Sequence, residues 1–264
     1  MNKIITAFLL LSFALTRPAS SFFSLEELEL ALNREPTNRP LVIEVVRRYH
    51  DLLLKEPEIK TWKKAIKYFD LLNSAYKIYR IKRGGRVDPV ALAYYSSYQI
   101  LRSVELGKKD SKLARYYAGP VVFGQAVADL DFALLMNPTD LEIRMIRGLN
   151  GFAYPGTNRL VKGVDDLRYV ILAVEKDPRR GKGISLPDLY VIAGKCAQRA
   201  EDYHLAEGIW ARLVRRYPET EQAEEAQKLI ARYLQKAKFQ KRVERQLLKK
   251  WEIPIPGGNQ RQNR

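Results

Sequence analysis

Residues able to do chemistry are sparse in these 264 residues and stand apart from one another. Cys196 is the single cysteine, which excludes an internal disulfide and any cysteine-based metal site. His50 and His204 lie far apart, and no carboxylate spacing around either completes a ligand set, so neither a metal nor another cofactor is expected. Arg179-Arg180-Gly181-Lys182-Gly183 joins cations to glycines, the composition of a phosphate cradle, yet it lacks the spacing and the preceding strand that such a loop needs. It reads as a connecting loop with at most weak attraction for an anion. Asp165-Asp166 and Glu224-Glu225 are ordinary neighbours on helices, and no serine, cysteine or histidine has a recognisable base beside it. The chain therefore reads as a non-enzyme that takes no small-molecule substrate.

What the residue types favour is attraction for anions. The formal charge is +16, from 46 Lys and Arg against 30 Asp and Glu. A bias of this size suits acidic protein faces, anionic lipid or glycan, or nucleic acid. It is densest near the C-terminus, where Lys236, Lys238, Lys241, Arg242, Arg245, Lys249 and Lys250 stand against Glu244 alone. Phe239, Val243, Leu247 and Trp251 recur there every four residues, so the segment is a basic amphipathic helix. It reads as the cap of a helical stack with its charge facing water. Alternatively it is an anionic-surface contact through Lys241, Arg242, Arg245, Lys249 and Lys250.

The elements that must position these groups are helices throughout. Apolar residues keep a helical period along the chain, and no Asn-Gly or Asp-Gly hairpin signal interrupts it. Turn chemistry at Glu35-Pro36, Glu56-Pro57, Gly84-Gly85, Gly107, Gly119-Pro120 and three later prolines divides the chain. Helices are predicted near 24–33, 38–54, 58–82, 88–106, 120–136, 140–153, 160–176, 186–200, 202–216 and 219–248. In the region 24–106 no clean repeat is visible. Trp62, Ile66, Phe69, Leu72 and Tyr76 form one apolar stripe, and Ala91, Tyr94, Tyr95, Tyr98 and Leu101 form another. Such stripes are helix-to-helix core more often than aromatic platforms for bases or sugars.

Pro138, Pro178 and Pro218 stand 40 residues apart, each closing a helical segment. A fixed period of this size marks stacked helical pairs. In 187–220 the first helix carries Tyr190, Ala193 and Gly194, and the second carries Tyr203, Ala206, Trp210 and Leu213 before Pro218. Ala126, Leu130, Ala133 and Pro138 fit one earlier second helix. Val170, Ala173 and Pro178 fit another, with Asp166 where a small residue is expected. These positions resemble the tetratricopeptide repeat over roughly residues 107–220. The resemblance implies an all-α superhelix whose first helices line a concave groove for a protein or peptide partner. Its implied contacts are Met145, Leu149 and Phe152, which share one helical face, together with Lys195, Gln198 and Arg199. A core role for the trio and a solvated one for the basic pair remain open at this point.

The ends complete the reading. Met1-Asn2-Lys3, the apolar run Ile4 to Leu15 and the small residues Ala19-Ser20-Ser21 read as a secretion signal over 1–23, cleaved near Ser21. The run is shorter than the roughly 20 residues that span a bilayer, and no later segment reads as a transmembrane helix. A secreted or periplasmic location follows. Residues 221–251 read as the basic capping helix and 252–264, with Pro254, Pro256, Gly257 and Gly258, as a disordered tail. The expected function is a non-catalytic scaffold that binds a protein or peptide partner at the cell envelope. The alternative is a binder of anionic lipid, glycan or nucleic acid.

Overall fold

A computed structural model describes residues 23–55, 59–78, 87–107, 119–153, 157–181 and 184–250. The expected leader, the Gly84-Gly85 break, the stretch 110–118, Lys182-Gly183 and the tail lie outside the described residues. Within them the chain is all-α. It runs α1 (Leu25–Arg34), α2 (Arg39–Lys55), α3 (Ile59–Ala75), α4 (Pro89–Gly107), α5 (Gly119–Met136), α6 (Leu141–Ala153), α7 (Thr157–Lys176), a 3₁₀ turn (Pro178–Gly181), α8 (Leu186–Arg199), α9 (Tyr203–Arg216) and α10 (Glu221–Lys250).

Short polar side chains start most of these helices by accepting from the orphan amides of the first turn. Ser24 and Glu27 form a reciprocal capping box ahead of α1. Asn38, Asp88, Asp140, Asp202 and Thr220 accept from Leu41 N, Ala91 N, Ile143 N, Leu205 N and Ala223 N. α5, α7 and α9 each end two residues before one of the spaced prolines. One expected boundary is corrected: α3 stops at Ala75 rather than continuing to 82. Lys77 takes a left-handed conformation (φ 56°), its amide turned back to Ser74 O, which ends the α-helical ladder.

The helices pack as successive neighbours, α2 with α3, α4 with α5, α6 with α7, and α8 with α9, and α10 closes on α9 and α8. First helices also touch the first helix of the next pair, giving a row α2, α4, α6, α8, α10. Second helices lean on the first helix that follows, slightly for α3 and α5 and extensively for α7 and α9. This order is that of a helical-repeat fold, and it runs from α2 onward, including the region where the sequence shows no clean repeat. α4 is the partner of α5.

Buried apolar side chains form one continuous core from Leu28 to Ala226. The N-terminal tyrosines belong largely to it. Tyr49 stacks on Tyr68 and Phe69 on Tyr98, with ring centroids 5.1 and 4.2 Å apart. The end of the stack is sealed by α10 through Ala223, Ala226, Ala237 and the half-buried Leu229, Ile230 and Tyr233. This part of α10 precedes the stripe expected to do so: Phe239 is 57% exposed. Leu247's side chain and Trp251 lie outside the described residues.

Candidate functional site

Three polar centres tie neighbouring helices together. In the first, Arg47 of α2 donates to the Tyr94 hydroxyl (3.2 Å) on α4 and to Glu142 Oε1 (2.7 Å) on α6, and Tyr94 donates to the same carboxylate at 2.5 Å. Glu44 pairs with Arg47 from the other side. One turn along, His50 Nε2 lies 2.6 Å from Ser97 Oγ, which accepts from Asn150 Nδ2 at 2.8 Å. Both ladders thus cross α2, α4 and α6 in turn. Burial and the Glu142 carboxylate push the Tyr94 phenol well above its ordinary range.

Asp166 on α7 forms the second centre and is fully buried. Arg144 donates to it at 2.8 Å and Arg147 grips both its oxygens, while Arg147 also donates to Asp131 of α5 (2.8 Å). Lys162 completes the cluster on Asp131 at 2.7 Å. Burial raises the Asp166 carboxyl above the usual carboxylate range, against the pull of Arg147 and Arg144. The third centre is Glu175, where Tyr190 of α8 donates at 2.6 Å and Arg212 of α9 forms an ion pair. Burial raises this carboxyl, but Tyr190 and Arg212 outweigh it and hold it below its ordinary value.

Between α4, α5, α6 and α7 lies a cavity of about 100 Å³. Ile100, Phe123, Val127 and Leu130 make its apolar wall. Arg147, Arg159, Lys162 and Asp131 give it a mostly cationic rim, and Arg159 sits 4.4 Å over the Phe123 ring. Asn150 also lines it, 4% exposed, and its Oδ1 has no hydrogen-bond partner among the described residues. Apolar wall, cations and an open acceptor together suit an apolar side chain next to a carboxylate and a donor.

The residues named from sequence are placed as follows. Met145, Leu149 and Phe152 are buried (4, 3 and 3% exposed) and serve the chain's own packing on α6. Arg199 donates to Phe152 O at 2.6 Å and lies over its ring, so these two are brought together. Lys195 pairs with Glu225 of α10 at 2.7 Å, and Gln198 is half-buried. The basic pair is thus engaged with neighbouring helices rather than solvated. Lys241 and Arg242 are exposed on α10. Arg245, Lys249 and Lys250 fall on the same helix, with side chains outside the described residues.

The ladders and the cavity were not foreseen. Asp166 gave the one sequence signal, an acid standing where the repeat wants a small residue. Among the described residues no group of three or more His, Cys, Asp or Glu could hold a metal ion. α5 is, by length and composition alone, apolar enough to cross a bilayer, although no such segment is expected from the sequence; here it packs on α4. The chain matches no protein-family model, no curated protein and no solved structure.

Proposed function

We propose that the chain is a non-catalytic, tetratricopeptide-like scaffold that holds a protein or peptide partner in the periplasm or at the cell envelope. The observation that carries this reading is the cavity at the junction of the second and third helix pairs. Helical-repeat proteins recognise extended segments by such recurring recesses between stacked units. Here the recess takes an apolar anchor, with Lys162 and Arg159 drawing an acidic neighbour on the peptide.

The test is capture from envelope extract on the chain beginning at Phe22, washed at low and at high salt. A defined protein is expected to survive high salt and to be lost with Val127→Phe, which fills the recess without adding charge. Retention by Val127→Phe sinks the cavity reading.

A second reading, anionic lipid, glycan or nucleic acid as the ligand, is favoured by one observation. Lys236, Lys238, Lys241 and Arg242 are exposed along α10 around the exposed Phe239. Capture of anionic material alone, released by salt and by reversing Lys238, Lys241 and Arg242, decides for it.

A further inference from the structure

The exposed face of α5 differs from that of every other second helix. Its outward stripe runs Val121, Gly124, Ala128, Phe132 and Leu135, with Val121 70%, Phe132 43% and Leu135 75% exposed. The two charged residues of α5, Asp129 and Asp131, are half-buried, whereas Lys63 and Lys67 are exposed on α3, Asp165 and Arg168 on α7, and Arg215 and Arg216 on α9. An apolar ridge the full length of a helix marks a contact surface.

The sizes along the ridge say what covers it. Its waist is Gly124 and Ala128, which offer acyl chains little surface but let another helix backbone come close. A Cβ built on Gly124 meets nothing within 4 Å, so the notch is open. The ridge also fits itself. Laid antiparallel across an axis at Ala128, Val121 meets Leu135 of a second copy and Phe132 enters the notch at Gly124. Ala128 then meets Ala128, and half-exposed Asp131 faces Gln125.

We propose that α5 is a homodimer interface, a second copy docking antiparallel about a twofold axis at Ala128. This goes beyond the scaffold reading and does not depend on it. The exposed Val161 and Leu172 of neighbouring α7 can extend the contact, which must reach about 1,000 Å² in total to be specific. Association in the micromolar range is expected.

Analytical ultracentrifugation of the chain beginning at Phe22, between about 1 and 200 µM to bracket that affinity, reads it directly. A reversible dimer is expected, with Ala128→Arg and Leu135→Asp each weakening it at least about 30-fold, because each change occurs twice in a twofold dimer. Both positions are exposed, so an unchanged melting curve separates lost association from lost folding. Oxidised Ala128→Cys is expected to cross-link to itself, while Gly208→Cys on α9 forms no cross-link. A monomer throughout the range overturns the proposal, as does a dimer indifferent to both substitutions. So does a monomer that floats with phosphatidylglycerol vesicles through Leu135, which assigns the ridge to lipid.

Discussion

The front and the back of the molecule hold their helices together by different balances of chemistry. In front, α2, α4 and α6 meet through an arginine–tyrosine–glutamate ladder and a histidine–serine–asparagine ladder. Behind, the Asp166 and Glu175 centres bridge α6 to α9 as well, but within each pair the helices also close by size. A Cβ on Gly151 would lie 2.7 Å from Arg159 O, and one on Gly194 would lie 2.1 Å from Trp210 Nε1, so only glycine admits these approaches. The contrast follows the packing. Second helices α3 and α5 touch the next pair only slightly, so directional bonds must set its register. α7 and α9 lie extensively on their successors, so dispersion adds to the Glu175 bridge there.

Substitutions at the back should therefore be the costlier. Trp210→Ala empties a fully buried site and is expected to cost about 3–5 kcal/mol of unfolding free energy, read by urea denaturation. Gly194→Ala drives a methyl into the Trp210 ring and should cost about 1–3 kcal/mol or more. Tyr94→Phe, which removes one ladder hydroxyl while leaving Arg47 on Glu142, should cost about 1–2 kcal/mol. A front-half loss equal to that of Trp210→Ala would erase the distinction.

Acid sharpens it further, because two carboxylates on α7 have opposite signs. Glu175 is held below its ordinary value of 4.5, so its contribution is present above that value and lost as pH falls through the lowered one. Asp166 is raised, so its contribution is present at low pH and lost as pH rises through the raised value. Melting from pH 7 downward should show an acid loss that Glu175→Gln flattens; an unchanged slope in that variant rules the assignment out. Lys195→Met, breaking a half-exposed pair with Glu225, should cost under about 1 kcal/mol.

Helix positions were legible because caps and prolines are local. Asp140, Asp202 and Thr220 sit in the sequence where their helices begin, and Pro138, Pro178 and Pro218 follow where theirs end. The end of α3 was not, since nothing in Tyr76-Lys77-Ile78 announces a left-handed lysine. The ladders were illegible for another reason. Arg47 and Tyr94 are 47 residues apart, as are His50 and Ser97, and Ser97 and Asn150 are 53 apart. Periodicity reports which face of one helix is apolar, not which hydroxyl of the next it will meet. By the same limit Met145, Leu149 and Phe152 read as either a groove floor or a core.

Cys196 sits fully buried on α8, and burial pushes its thiol up to about 12. At neutral pH the closed molecule therefore offers no thiolate to an oxidant. The same concealment makes the residue a gauge. Alkylation can proceed only through molecules in which α8 has parted from its neighbours. Its rate relative to a free thiol then measures how often the back half breathes.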